Sequence, residues 1–333
     1  MCDVSVVIPS YGRPRELRRC LEALDALTPH PMEILVVLRP DDESSRLVAV
    51  QSGMRVRVVD VTEPGHLPPL SVALSACRGQ VMAVLDDDAV PRASWLWHIQ
   101  QAFSDPGVVG LGGPVADHSR RPAGNQGMVG VGTALHMRLF RGRTVYRGFR
   151  ALPDPEMCRA AGLEKSVPAD LVVGCNMAFR RWVLERTGID HGLNRGAAIN
   201  YEADLALGAK RFGVVLFDPG LIVDHYPAAR TGAPSRSAAE RYRSDYTYNL
   251  HYVAGKHFNA AELALFTAYM ALVGQGVSQG LVRRLFSGPR RLRFIPNAHD
   301  PLTAIGAQGR RAGRAAREAA SIGHSATRRG SVS

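Results

Sequence analysis

The stretch 81-VMAVLDDDAVPRASWL-96 decides the fold class. Five apolar residues, Val81 to Leu85, run directly into three carboxylates, Asp86 to Asp88. A continuous apolar run of this length is typical of a parallel strand that is covered on both faces. In open α/β sheets, ligands bind at the carboxyl ends of such strands. The stretch therefore predicts a central parallel strand with a binding site at its end.

Strand and helix patterns alternate before this stretch. Strands are predicted at "VSVVI", "EILVVL" and "MRVRVVD", and helices at "RPRELRRCLEAL" and "LPPLSVALSACRG". In the first of these helices the apolar side chains recur at helical spacing, at Leu17, Cys20, Leu21 and Leu24. A further helix is expected near Pro91. The alternation predicts an α/β chain with a doubly wound, mostly parallel sheet and helices on both faces.

The composition is that of a soluble globular protein. Of the 333 residues 46% are hydrophobic and 21% charged, which excludes disorder throughout and a polytopic membrane protein. The formal net charge is +11, and most of the excess lies in the C-terminal segment. Five cysteines without a CxxC pair indicate a reducing compartment. With no signal-peptide pattern in "MCDVSVVIPS", we expect a cytoplasmic protein.

Two interpretations of the three aspartates remain open. In the first, they form a solvated loop in which Asp88 caps the helix expected near Pro91. In the second, Asp86 and Asp88 point the same way from an extended segment and hold a divalent metal with a diphosphate. Mg²⁺ and Mn²⁺ prefer oxygen ligands, and Mg²⁺ commonly combines one or two carboxylates with substrate phosphates.

A second group of candidate residues lies further along the chain. Glu202 and Asp204 stand at the start of a predicted helix, where carboxylates are also favoured by the helix dipole alone. His225 ends the strand-like "LIVDH", a position that a surface histidine also occupies. Together these residues are a candidate base and a candidate third metal ligand.

The sequence resembles the family 2 glycosyltransferases of GT-A fold from about Val4 to His225. The resemblance rests on "SVVIPSYGRPRELRRCLEAL", "ACRGQVMAVLDDDAVPRASWL", "GGPV", "GCNMAFRR", "YEADL" and "DPGLIVDH" in this order. It implies a nucleotide-sugar donor, and a metal and diphosphate site at Asp86 and Asp88 that His225 completes. It also implies donor-binding positions at Pro9, Tyr11, Arg13, Asp41, Asp86 and Asp87, and an acceptor side at Gly174, Cys175 and Asn176.

Two departures from the family pattern alter these roles. Leu38 and Arg39 occupy the place where many members carry an aspartate that reads the nucleotide base. Tyr201 replaces the first acid of the usual Glu-Asp-x-Asp motif. In this register Glu202 is the base and Asp204 a supporting residue. A buried turn explains Cys175 and Asn176 equally well.

The C-terminal segment is predicted from local patterns alone. Residues 263–282 carry no charge and approach the roughly 20 residues that span a bilayer, so a buried, an interfacial and a spanning helix are all candidates, in that order. Arginines from Arg283 to Arg293 favour an anionic membrane surface for the interfacial case. The last segment lacks apolar periodicity, and we expect it to be disordered or loosely helical.

These patterns predict an inverting glycosyltransferase that depends on Mg²⁺ or Mn²⁺. The expected divisions are a catalytic domain at 1–228, with a donor half at 1–115 and an acceptor half at 116–228, a helical extension at 229–295 and a basic tail at 296–333. The expected partners are a nucleotide-sugar donor and an acceptor that is a glycan, a lipid-linked molecule or a small molecule. The protein is also expected to attach peripherally to the anionic inner face of the cell membrane. The alternatives are a sugar nucleotidyltransferase, a catalytically silent partner subunit and a basic nucleic-acid-binding protein.

Overall fold

The chain folds into two compact units. The computed structural model describes residues 2–53, 56–118, 155–160, 162–227, 236–272, 274–275, 278–279 and 301–329. The first unit comprises Met1–His191 and Leu205–Thr231, and the second comprises Gly192–Asp204 and Gly232–Ser333. The expected division at residue 228 differs from this one, because the segment Gly192–Asp204 groups with the C-terminal part of the chain.

A sheet of eight strands forms the centre of the first unit. Its strands are β1 (Val4–Pro9), β2 (Glu33–Leu38), β3 (Val56–Asp60), β4 (Val81–Leu85), β6 (Val108–Gly112), β8 (Val167–Pro168), β9 (Asn176–Arg180) and β10 (Val214–Phe217). They lie in the order β3-β2-β1-β4-β9-β6-β10-β8. The first four are parallel, β9 runs antiparallel to both neighbours, β10 is parallel to β6, and β8 is antiparallel to β10. The predicted mostly parallel sheet is confirmed.

Helices of the first unit follow the predicted alternation. They are α1 (Pro14–Asp25), α2 (Glu43–Gln51), α3 (Pro68–Ala76), α4 (Trp95–Ala102), α5 (Pro155–Ala160) and α6 (Arg181–Thr187), and α7 (Tyr201–Ala209) follows. The predicted apolar face of α1 is buried, with Leu17, Cys20, Leu21 and Leu24 in one core with alternate residues of β1, β2 and β4. The opposite residues of these strands are buried too, as expected of a sheet covered on both faces.

A second sheet has three strands, the first of which directly follows the aspartates. It consists of β5 (Ala89–Pro91), β7 (Val115–Asp117) and β11 (Val223–His225), in the order β5-β11-β7. Strand β5 occupies the position where the sequence predicted the start of a helix, and α4 begins only at Trp95. The capping role considered for Asp88 is therefore wrong, because a strand and not a helix follows it.

The second unit is helical. It contains α8 (Arg236–His257), α9 (Ala260–Leu272) and α10 (Pro301–Arg329), and the short strands β12 (Gly274–Gln275) and β13 (Ser278–Gln279) form a hairpin. Helix α10 packs along α8 through three glycines, Gly306, Gly309 and Gly313. Of the two states expected for the tail at 296–333, disordered or loosely helical, residues 301–329 adopt the helical one.

The uncharged stretch 263–282 is not one continuous helix. Helix α9 ends at Leu272, and Gly274 adopts a φ of 74°, which a right-handed helix cannot contain. Within the described parts of the chain, no helix combines the length and the apolar character that crossing a bilayer requires. The basic run from Arg283 to Arg293 lies outside the described residues.

Candidate metal and donor site

The three aspartates sit where the sequence predicted them, at the carboxyl end of β4. The strand itself is fully buried, and the backbone turns immediately after it, because the carbonyl of Asp86 accepts the N–H of Ala89 at 3.1 Å. Asp87 and Asp88 are buried and Asp86 is partly exposed. The carboxylates of Asp86 and Asp88 approach the same point, whereas that of Asp87 binds the loop after β1.

Asp86, Asp88 and His225 converge on one point. Each offers one ligand atom, and these atoms all lie within 4.8 Å of one another. The small sheet creates this arrangement: β11 pairs with β5 in the register His225 to Ala89, and the N–H of Tyr226 donates to the carbonyl of Asp88 at 2.9 Å. Within the described residues, this is the one group of this kind.

The donor set of this group fits Mg²⁺ or Mn²⁺. Two carboxylates supply the hard oxygen ligands that these ions prefer, and an imidazole nitrogen also suits a transition ion such as Mn²⁺. The Nε2 atom of His225 lies 3.0 Å from Oδ1 of Asp88. This hydrogen bond raises the pKa of His225, while partial burial opposes the shift. The aspartates therefore attract positive charge at this point.

Neighbouring Asp224 points away from the group. Adjacent side chains of a strand alternate in direction, and the carboxylate of Asp224 binds the guanidinium of Arg92 at 2.8 and 2.9 Å and Nε2 of His118 at 2.9 Å. The hydrogen bond from Arg92 contributes most to the low pKa of Asp224. Strand β11 thus directs one residue to the aspartates and the next to a separate ion pair.

Asp87 binds the loop that follows β1. Its carboxylate accepts from Ser10 Oγ at 2.7 Å and from Arg13 at 3.0 Å, and Arg13 also lies 3.5 Å from Asp88. Burial raises the pKa of Asp87 to about 6, although the contacts with Ser10 and Arg13 lower it. Ser10 was missed by sequence reasoning, even though it directly follows Pro9 at the end of a predicted strand.

Tyr11 and Asp41 lie together beside this loop, at the ends of β1 and β2. The hydroxyl of Tyr11 donates to Asp41 at 3.1 Å. The guanidinium of Arg39 lies 3.4 Å from the Asp41 carboxylate and 5.1 Å from the centre of the Tyr11 ring. Tyr11 remains 54% exposed. An exposed aromatic ring with a planar cation beside it is a surface on which a flat ring can stack.

Asn176 is a buried structural residue. Its side-chain oxygen accepts from Trp95 Nε1 at 2.9 Å, and its amide donates to the carbonyls of Pro114 at 3.2 Å and Leu221 at 2.7 Å. These contacts engage both ends of the amide, as the buried-turn interpretation expects, and the place of Asn176 on the acceptor side stays a prediction. Cys175 is also buried, and Gly174 is partly exposed.

The acidic motif opens α7, and its two carboxylates differ. Glu202 is partly exposed, whereas Asp204 is buried with its oxygens 2.8 Å from Lys256 Nζ and 2.7 Å from His257 Nε2. Burial raises the pKa of Asp204, but the hydrogen bond and charge of His257 and the charge of Lys256 outweigh it and lower the pKa. Sequence reasoning missed these partners, which the pattern "AGKHF" does not distinguish from an ordinary helix end.

Comparison with known sequences gives matches to glycosyltransferases. Residues 5–160 match the family described as Glycosyl transferase family 2. The glycosyltransferase AglE of Haloferax volcanii is 28% identical over 120 residues, which are 34% of this chain and 39% of that protein. The chain thus matches about two fifths of the length of this curated relative.

Solved structures include similar folds. GalNAc-T7, crystallised with UDP, GalNAc and Mn²⁺, aligns with a TM-score of 0.52 at 15% identity over 77% of this chain and 48% of that one. Glucosyl-3-phosphoglycerate synthase from Mycobacterium tuberculosis, in complex with Mn²⁺, UDP and glucosyl-3-phosphoglycerate, aligns with a TM-score of 0.47 at 17% identity over 76% and 80%. The similarity to the first shows a shared GT-A fold.

Proposed function

We propose that the chain, whose residues 5–160 match the Glycosyl transferase family 2 model, transfers a sugar from a nucleoside diphosphate sugar to an acceptor hydroxyl, with inversion and with the aid of Mg²⁺ or Mn²⁺. The observation that carries this proposal is the convergence of Asp86, Asp88 and His225 at the carboxyl end of β4. That edge of a parallel sheet is the usual ligand-binding edge.

Asp86, Asp88 and His225 would hold the ion. A divalent cation there supplies positive charge to the departing diphosphate, whose negative charge grows as the bond to the sugar breaks. Asp87 acts differently, because it binds Ser10 and Arg13 and so fixes the loop after β1, where Pro9 ends the strand. Arg13 thereby presents a guanidinium beside the proposed diphosphate position.

The nucleoside would lie against the surface formed by Tyr11, Arg39 and Asp41. The exposed Tyr11 ring offers a stacking face, and Asp41 is an acceptor for ribose or base donors. GalNAc-T7, which shares the fold, was crystallised with UDP and Mn²⁺, the pair of ligands that we propose to test first. The strands β2, β1 and β4 are neighbours in the sheet, and this order of their ends supports a nucleotide that runs from Tyr11 and Asp41 toward the aspartates.

Glu202 is the proposed base, and it would take the proton of the attacking hydroxyl. The oxygen then forms a bond to the anomeric carbon as the carbon–diphosphate bond breaks, in one displacement that inverts the configuration. Asp204 is unsuited to this role, because its charge is neutralised and its oxygens are engaged by Lys256 and His257. Glu202 is more exposed and is thus the accessible member of the pair.

An anionic membrane surface is the proposed place of the acceptor. Helix α9 exposes an apolar stripe, Ala261, Ala264, Leu265, Ala268 and Leu272, whose spacing follows the helical repeat. Helix α10 of the same unit exposes Arg311 and Arg314, which complement anionic headgroups. We propose peripheral attachment at the inner face of the membrane, with a lipid-linked glycan as acceptor.

A thermal-shift screen tests the donor and metal proposal. Nucleotide sugars with UDP, GDP or dTDP as carrier are added with and without MnCl₂, and the melting temperature and the release of nucleoside diphosphate are measured. Stabilisation and turnover that both need the metal are expected for at least one donor. Binding and turnover unaffected by a chelator would contradict the metal site. Metal-dependent binding without turnover would instead favour the silent partner subunit.

A further inference from the structure

One face of α8 holds the loop that leads into the acidic motif. Asn249 is fully buried, and its side-chain amide donates to the carbonyls of Leu193 at 3.0 Å and Ile199 at 3.1 Å. These carbonyls lie near the two ends of the loop that precedes α7. A single side chain therefore closes this loop, and Glu202 follows it by three residues.

The loop needs such support, because its backbone is unfavourable. Ala198 and Asn200 are buried non-glycine residues with φ values of 49° and 75°. Left-handed conformations at such residues persist only where the surrounding structure fixes them, and they concentrate at functional sites. The carbonyl of Asn200 accepts the N–H groups of Ala203 at 3.1 Å and Asp204 at 3.2 Å. The conformation of Asn200 thus sets the first turn of α7, which carries Glu202.

The same face of α8 also binds the motif beyond Glu202. Lys256 follows Asn249 by two helical turns and pairs with Asp204, assisted by His257. One turn before Asn249, Asp245 lies 3.8 Å from Arg195 of the loop. The loop before Glu202 and the carboxylate after it are therefore bound by residues at three levels of one helix face.

We infer that Asn249 is a positioning residue for the proposed base, acting by holding loop 193–199 in the conformation that directs Glu202. This inference rests on the proposed function of Glu202. Both the proposed base and the side chains that orient it belong to the second unit. Lys256 and His257 complete this support through Asp204.

The first experiment needs no substrate. Asn249→Leu keeps the side-chain volume and removes both donors, and hydrogen exchange is followed in peptides of the intact chain. Faster exchange is expected in residues 193–204, with unchanged exchange around Asp86 to Asp88. The control is Asn259→Ala, which removes the cap of α9, where Asn259 accepts the N–H of Glu262 at 3.0 Å, without touching the loop. Unchanged exchange at 193–204 in Asn249→Leu would overturn the inference.

The second experiment separates positioning from general stability. Turnover of UDP-glucose with Mn²⁺ is measured for Asn249→Leu, Glu202→Gln and the double variant, and Mn²⁺–UDP binding is measured by calorimetry. Misplacing a reacting group by about 1 Å reduces turnover by about 10²-fold, so kcat should fall by that order in Asn249→Leu while KM and UDP binding stay unchanged. Asn259→Ala should keep its kcat.

The double variant decides whether Asn249 acts through Glu202. If it does, adding Asn249→Leu to Glu202→Gln lowers kcat little further, because the base is already gone. If the reductions of kcat in the two single variants multiply in the double variant, the inference is overturned, while Glu202 remains the base. Full activity of Glu202→Gln would overturn the base assignment, and with it the catalytic part of the inference. If UDP-glucose is not turned over, the exchange experiment still decides whether Asn249 holds the loop.

Discussion

The Nε2 atom of His225 lies 3.0 Å from Oδ1 of Asp88, and this contact joins the ends of strands from two different sheets. Asp88 follows β4 of the large sheet, and His225 ends β11 of the small one. The proposed ligand set is therefore complete only when both sheets have formed. Strand β5 directly follows the aspartates, and its pairing with β11 fixes the position of His225 relative to them.

Asp88→Asn should weaken binding of UDP in the presence of Mn²⁺. Loss of groups that merely orient metal ligands costs about 10–100-fold in affinity, so removing a proposed ligand should cost at least that much. Isothermal calorimetry with UDP, with and without MnCl₂, measures the effect. The control is Asp105→Asn, an exposed aspartate of the same unit. Equal affinity of Asp88→Asn and the parent would remove the metal assignment.

Glu202→Gln should retain UDP binding and lose turnover. Removing a general base typically lowers the rate by about 10²–10⁴-fold. The matched change is Glu185→Gln, which removes an exposed carboxylate that pairs with Arg181 on α6, and its kcat should stay within about twofold of the parent. Steady-state kinetics and calorimetry of the same preparations measure both quantities. Normal turnover of Glu202→Gln would refute the assignment.

Asp204→Asn should mainly destabilise the second unit. Neutralising one member of a buried ion pair leaves its partners uncompensated and typically costs about 3–5 kcal/mol. Denaturant unfolding of the parent and variant measures the difference in free energy. Because the pKa of Asp204 is lowered by His257 and Lys256 against the effect of burial, its contribution is present at neutral pH and is lost in acid. A fully stable variant without turnover would make Asp204, and not Glu202, the base.

His251 makes the stability of the second unit depend on pH. It is buried, accepts from Arg310 at 2.6 Å, and burial with the charge of Arg310 lowers its pKa to about 3. An unfolded histidine titrates near pH 6.5, so the unfolded chain binds more protons between these values. Stability should fall by about 1.4 kcal/mol per pH unit as the pH drops below about 6. Hydrogen exchange of the α8 peptides between pH 4 and pH 7 measures this, and His251→Leu should reduce the slope by about one proton, whereas exposed His30→Gln should leave it unchanged.

Helix α9 should bind anionic liposomes through its apolar stripe. Leu265 and Leu272 are 52% and 51% exposed, and replacing both with glutamate should abolish co-sedimentation with vesicles that contain phosphatidylserine. The control is Val50→Glu on α2, which is 71% exposed in the first unit. Arg311→Glu with Arg314→Glu should remove the salt-sensitive part of binding. Steeply salt-dependent binding to DNA without liposome binding would contradict the membrane proposal.

The half of the large sheet formed by β1 to β4 was predictable because its signals are local. Continuous apolar runs mark β1, β2 and β4, and the periodic face of α1 separates them. The aspartates could be placed at a strand end for the same reason. The small sheet could not be predicted, because each of its strands has three residues and exists through pairing with distant segments.

Other features lack a sequence signal for identifiable physical reasons. Helix α10 approaches α8 closely at Gly309 and Gly313, where a Cβ atom would meet the backbone of Tyr248 or Tyr252, and glycines alone do not indicate such a contact in the sequence. The role of Asn176 depends on Trp95 and on two carbonyls that only the fold brings near. The partners of Asp204 lie in a helix that follows it by some fifty residues, and nothing local connects them.

Because Gly192–Asp204 belongs to the second unit, its contacts depend on residues that are synthesised later. A ribosome makes this segment well before α8. The loop therefore cannot bind Asn249, and Asp204 cannot bind Lys256 and His257, until α8 has been synthesised. A nascent chain that ends before residue 257 contains all of Asp86, Asp88 and His225 but lacks part of the support for Glu202. Premature termination or proteolysis in α8 would thus leave a fragment with the proposed metal ligands and an unsupported acidic motif.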